Sequence, residues 1–126
     1  MIVGIGVDLV TVSRISKVDA RHAERFERRI LTEQEREDIG TAADRARFLA
    51  KRFAIKEAAV KAMGTGEREG ILLSDIGLSH DSLGKPELQI SGAAAARCET
   101  LGVTQHHVSL SDEGDLVTAF VVLESA

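Results

Sequence analysis

Asp8, Arg52, Lys56, Glu57 and Lys61 stand where their residue types are costly unless they find a partner or do chemistry. Asp8 interrupts the otherwise apolar run Ile2–Val10. A carboxylate there needs a partner or a cation, unless the strand end is solvated. Placed at about 100° per residue, Phe48, Leu49, Phe53, Ile55, Val60 and Met63 form one broad arc with Arg52 and Lys56 in its middle. Burying unpaired cations on an apolar face is expensive. Either their stems pack while their heads reach water, or both meet something negative. Glu57 and Lys61 share a helical face at i, i+4; as a plain surface pair they contribute little. The chemical alternative is that Glu57 holds a metal, with Asp8 as second carboxylate, while the cations bind phosphates. Mg2+ prefers one or two carboxylates plus substrate oxygens.

The elements that must position these groups are legible. Phe48 to Met63 run without Gly or Pro, Thr41 or Asp44 can cap the helix, and Gly64 is placed to end it. Ala50, Ala54, Ala58 and Ala62 form a small stripe on this helix that lets another element approach closely. Ile2 to Val10 read as a largely buried strand in which Gly4 and Gly6 admit another backbone. Ser13 to Ile30 turn helical, in two pieces, and Thr32 with Glu35 makes a capping box for a short helix that Gly40 stops. Ile71–Ser79 and Glu87–Ile90 read as strands joined by a turn ending in Gly84-Lys85-Pro86. Ser91 caps the Ala-rich helix Gly92–Leu101. His107–Ser111 and Leu116–Leu123 form a hairpin, with His107, Ser109 and Ser111 on one face. This order predicts an α+β fold over one domain, residues 1–126, with a mostly antiparallel sheet covered by helices including one long central helix.

Composition narrows the chemistry. With 44% hydrophobic and 29% charged residues the chain reads as an ordinary globular domain able to bury a core without staples. One cysteine, Cys98, forbids an internal disulfide and a cysteine-rich zinc cage, and points to a reducing compartment, the cytoplasm. The first apolar run is broken by Asp8, lacks a basic leader and is too short to span, so neither signal peptide nor membrane anchor is expected. Four Phe and no Trp or Tyr make base stacking, and hence a nucleic-acid partner, unexpected. Residues 13–62 hold 13 of the 16 Lys and Arg but 9 of the 20 Asp and Glu, so a basic middle (+4) sits in an acidic remainder (−8). That asymmetry points to a local anionic partner.

Familiar site motifs are mostly missing. Gly4-Ile5-Gly6 lacks the third glycine of a dinucleotide turn, position 9 being Leu. There is no P-loop, no H-E-x-x-H and no G-x-S-x-G. Gly64-Thr65-Gly66 is either a helix stop or a phosphate contact, and Gly84-Lys85-Pro86 either a plain turn or the border of a nucleotide site. A strand reading G-I-G-V-D-L also begins ribonuclease-H-like nucleases and actin-like ATPases, but the chain is short for both and lacks their further strand-end acids.

Gly4-Ile5-Gly6-Val7-Asp8, the run Arg52 to Ala62 (R-F-x-x-K-E-A-x-x-K-A), Gly64-Thr65-Gly66, Gly84-Lys85-Pro86 and His107-Val108-Ser109-Leu110-Ser111 together resemble the holo-[acyl carrier protein] synthase family, the short phosphopantetheinyl transferases. The resemblance implies that family's fold and its activity, Mg2+-dependent transfer of phosphopantetheine from coenzyme A to a serine of an apo acyl carrier protein. Asp8 and Glu57 match the family's metal carboxylates and Lys61 its lysine. Glu57 is the implied helper in deprotonating the serine, with Asp8 or solvent as alternatives. Arg52, Gly66, Pro86, His107 and Ser109 are implied to line the coenzyme site, and Arg45 to meet the ribose phosphate. Family members are trimers with sites between subunits, so the anion facing Arg52 and Lys56 would come from substrate and an adjacent chain. Acyl carrier proteins are acidic, which makes Arg14, Arg21 and Arg25, with Arg28, Arg29 and the apolar Phe26, the implied dock. A binding module that keeps the pocket without chemistry is the rival that Glu57 and Lys61 argue against.

Overall fold

Gly4 and Gly6 set the central contact of the fold. In the computed structural model, which describes Met1–Ala126, strand β1 (Ile2–Thr11) lies on the long helix α3 (Arg45–Met63). The approach is so close that a Cβ on Gly4 would stand 1.9 Å from the Ala62 carbonyl oxygen, and one on Gly6 1.9 Å from that of Ala58. The alanine stripe and the glycine pair are thus two sides of one interface, as their spacing predicts.

Between these elements come α1 (Val12–Ile30) and α2 (Glu33–Asp38), and after α3 follow β2 (Ile76–His80), β3 (Pro86–Ile90), α4 (Gly92–Leu101), β4 (Val103–Glu113) and β5 (Leu116–Ser125). The strands make two antiparallel sheets, β1-β5-β4 and β2-β3. In the larger sheet Val7 lies opposite Phe120, and Phe120 opposite Ser109. Strand alternation then turns Gly4, Gly6, Asp8 and Val10 toward α3, while Ile5, Val7, Leu9, Phe120, His107 and Ser109 share the other face. Ile5, Val7, Leu9 and Phe120 are exposed there. The core is one cluster around α3 that joins Leu49, Ile55 and Met63 to Ile76, Leu88, Val121 and Leu123. No helix is long and apolar enough to cross a membrane.

Local signals explain most boundaries. The Thr32–Glu35 capping box forms in both directions, and Asp44, not Thr41, accepts from the Arg47 amide at the start of α3. Gly64 ends that helix at φ +80. The break in α1 falls at His22, whose backbone is non-helical. Three readings need correction. The expected Ile71–Ser79 strand instead pairs over Ile76–His80, because Leu73–Asp75 wind into a single 3-10 turn. Strand β4 starts at Val103 because it pairs along nearly all of β5. Ser91 does not cap α4 through its side chain; its hydroxyl donates to the Asp75 carbonyl.

Candidate active site

Asp8, Glu57 and Lys61 meet. From α3, Lys61 Nζ donates to Asp8 Oδ1 and to the Val7 carbonyl on β1, each at 3.0 Å. The Thr118 hydroxyl of β5 donates to the Asp8 carbonyl and fixes the strand behind it. All three side chains line a cavity of about 480 Å³, walled by Ile15, Val18, Phe26 and Phe53 and rimmed by Arg14 and Arg29. Burial is the main force pushing the Glu57 carboxyl above its usual range; the charges of Glu67 and Asp8 add to it, and Arg29 and Lys61 oppose it. This is an electrostatic setting that a divalent cation relieves. No group of three or more His, Cys, Asp or Glu side chains forms a cage. Two carboxylates on an open cavity instead suit an ion that keeps waters and takes substrate oxygens.

A second set gathers elsewhere. Pro86 and His107 line a groove of about 390 Å³, and Pro86 and Ser109 an adjoining one of about 460 Å³ beside Leu78, His80 and Lys85. These lie where the β2–β3 hairpin faces β4, and His107 Nε2 is paired with Glu124 at 3.1 Å. Neither groove contains Asp8, Glu57 or Lys61, so the two sets do not share a cavity within one chain. Gly66 stands in the turn after α3 at φ +62 and lines none of them.

Arg52 and Lys56 do not wait for a substrate anion. Both pair with Glu35, at 2.9 and 2.6 Å, inside the protein. Sequence reasoning missed this because Glu35 had a complete explanation as a capping-box residue. The signal was available, since two cations on an apolar face require an anion. Arg45 is also engaged: its guanidinium donates to both oxygens of Asp19 at 2.8 Å and to Glu27 at 3.0 Å, and the Asp19 hydrogen bonds push its pKa further up. A cation flanked by two carboxylates is poorly placed to take a ribose phosphate. Asp112 holds Arg47 at 2.9 Å and thereby ties the β4–β5 turn to α3.

The arginine face of α1 divides between two cavities. Arg14 and Arg29 rim the carboxylate cavity, while Arg21, Arg25 and Arg28 border a separate depression. Arg28 pairs with Glu24 and Arg29 with Glu67, whereas Arg14, Arg21 and Arg25 make no ion pair. Phe26 is not a surface contact: it is buried, its ring 6.0 Å from that of Phe53.

The sequence model of the 4'-phosphopantetheinyl transferase superfamily matches residues 4–121. A holo-[acyl-carrier-protein] synthase of Alkalilimnicola ehrlichii is 51% identical over 127 residues, covering 100% of this chain and 99% of the relative. The crystal structure of the corresponding enzyme from Neisseria meningitidis superposes with a TM-score of 0.93 at 43% identity, covering 99% of this chain and 100% of that one. The Bacillus anthracis enzyme, solved in complex with CoA (3',5'-ADP), superposes at 0.82 with 38% identity over 100% of this chain and 99% of its own. With the fold, the order of its motifs and its full length all matched, the chain belongs to the 4'-phosphopantetheinyl transferase superfamily, among the holo-[acyl-carrier-protein] synthases.

Proposed function

We propose that this chain, acting as one domain, transfers the phosphopantetheine group of coenzyme A to a serine of an apo acyl carrier protein. The products are the holo carrier and adenosine 3',5'-bisphosphate, and the holo carrier serves fatty acid biosynthesis. The observation that carries this reading is the meeting of Asp8, Glu57 and Lys61, from segments far apart in the chain, in one cavity. Complexes of relatives with coenzyme A support the donor substrate.

The serine oxygen attacks the β-phosphorus of the coenzyme, and the bond from that phosphorus to the bridging oxygen of the α-phosphate breaks. Glu57, directly or through a water, is placed to take the serine proton, with Asp8 and solvent as the alternatives. An ammonium has three N–H donors. Lys61 uses two on Asp8 and Val7, leaving the third for a diphosphate oxygen. Asp8 and Glu57 are the residues that would hold Mg2+, which when bound supplies positive charge against the diphosphate. Ile15, Val18 and Phe53 give the cavity an apolar wall beside the carboxylates.

The active form in this reading is a homotrimer with sites between neighbours. Two observations support it: the coenzyme residues Pro86, His107 and Ser109 lie apart from the carboxylates, and the sheet face carrying His107 and Ser109 also exposes Ile5, Val7, Leu9 and Phe120. A second copy seated on that face covers the apolar side chains and completes the site. The unpaired arginines Arg14, Arg21 and Arg25 receive the acidic carrier, and the free, buried Cys98 suits the reducing cytoplasm. Incubation with apo carrier, coenzyme A and Mg2+ should add one phosphopantetheine to the carrier by mass spectrometry, and a chelator should stop it. An unchanged carrier mass in the presence of Mg2+ refutes the reading.

A further inference from the structure

Three buried charges of this chain sit in one cluster and do not cancel. Glu35 of α2 is 1% exposed and stands between two cations of α3, Lys56 at 1% and Arg52 at 9%. Lys56 donates to one Glu35 oxygen at 2.6 Å and Arg52 to the other at 2.9 Å; the Thr32 amide adds a bond at 2.9 Å. One carboxylate against two cations leaves a positive excess. Carbonyl oxygens absorb it: Lys56 also donates to those of Leu73 and Ile76, and Arg52 to that of Leu78. All three carbonyls belong to one stretch, Leu73 in the 3-10 turn before β2 and Ile76 and Leu78 in β2 itself.

That stretch has no other polar tether to α3. Strands β2 and β3 form a sheet of their own, with no ladder to β1-β5-β4. The hairpin is therefore held against α3 by apolar packing and by Arg52 and Lys56. Leu78 lines the same groove as Pro86 and Ser109, whereas Glu57, the residue after Lys56, opens on the carboxylate cavity. One helix thus borders a half-site on each flank, and each half is completed by a neighbouring copy in the proposed trimer.

We propose that Glu35 is a positioning residue for the transfer reaction. By balancing part of the charge of Arg52 and Lys56 it lets both grip the carbonyls of Leu73, Ile76 and Leu78, and so fixes the coenzyme grooves on α3 for the neighbouring copy that brings its own Asp8, Glu57 and Lys61. The inference rests on the proposed transfer for its kinetic consequence, but the clamp itself is testable without substrate. A buried ion network adds little net stability over apolar packing, whereas removing one partner strands the others.

The test is Glu35→Gln, with Glu35→Asp as the conservative variant and Arg52→Met, which leaves a neutral Glu35–Lys56 pair, should Glu35→Gln fail to fold. Hydrogen exchange of the unliganded proteins should show protection lost in residues 76–80 and 86–90 and retained in β1 and β5. The KM for coenzyme A should rise about tenfold or more, the scale of a misplaced binding group, with the carrier KM within about twofold. Glu35→Asp should fall between wild type and Glu35→Gln. Unchanged protection in the hairpin, uniform loss throughout the chain, or equal rises in both KM values overturns the proposal. A wild type that transfers nothing while Glu35→Gln loosens the hairpin refutes the transferase reading and leaves the clamp standing.

Discussion

Lys61 Nζ on α3 lies 3.0 Å from the Asp8 carboxylate on β1, across 53 positions of chain. The contact depends on Gly6, whose missing Cβ lets the strand sit on the helix. Lys61 holds Asp8 in place and keeps one N–H for substrate. Lys61→Ala should therefore lower kcat by about a hundredfold, the scale of losing one positioned charge donor, with a much smaller change in the KM for coenzyme A. Steady-state kinetics with both substrates varied checks this; a loss confined to KM contradicts it.

Gly6→Ala should destabilise the protein severely. Its new Cβ meets backbone, the Ala58 carbonyl oxygen at 1.9 Å, and backbone cannot swing aside. Overpacking of this kind costs about 3 kcal/mol or more. Gly40, with nothing within 4 Å of its Cβ direction, is the control, and Gly40→Ala should leave the urea midpoint nearly unchanged.

Much of this scaffold was legible because each signal had a local cause. Thr32 and Glu35 show their capping box in the sequence, Gly64 its helix stop, and the Gly4–Gly6 and Ala58–Ala62 spacings their shared interface. The pairing of Asp8 with Glu57 and Lys61 was legible through the family resemblance and through the cost of a lone carboxylate in a strand. What escaped were long-range choices. Nothing local tells that Glu35 turns inward to Lys56, that Asp19 and Glu27 take Arg45, or that Phe26 stacks into the core near Phe53 instead of facing a partner. The separation of Pro86, His107 and Ser109 from the carboxylates depends on how a two-stranded hairpin sits beside a three-stranded sheet, and strand patterns do not encode that.

Arg21→Glu and Arg25→Glu should each raise the KM for the carrier by about tenfold, and increasingly so at low salt, while coenzyme A binding stays as in wild type. Both arginines are free of ion pairs, so reversal breaks nothing inside the chain. Arg28→Glu, which already has Glu24 as partner, should act more weakly. Equal losses for both substrates would contradict a docking role.

Glu57 gives a pH test in metal-free buffer. Its carboxyl is raised above the ordinary value of 4.5, first by burial and then by Glu67 and Asp8. A raised carboxyl favours the folded state below the ordinary value, and that contribution is lost as pH rises through the folded-state pKa. Glu57→Gln should thus melt a few degrees above wild type at pH 7 to 8, the usual cost of an active-site charge, and at the same temperature near pH 4. Calorimetry in the presence of chelator measures it, and an advantage confined to acid would reverse the sign.

Binding of Mn2+, followed by electron paramagnetic resonance with and without coenzyme A, tests the shared role of residues 8 and 57 most directly. Wild type should bind one ion per chain more tightly when the coenzyme is present, and Asp8→Asn combined with Glu57→Gln should abolish both that binding and turnover. A double variant that still binds the ion in a coenzyme-dependent way, or still converts apo carrier, would contradict the account.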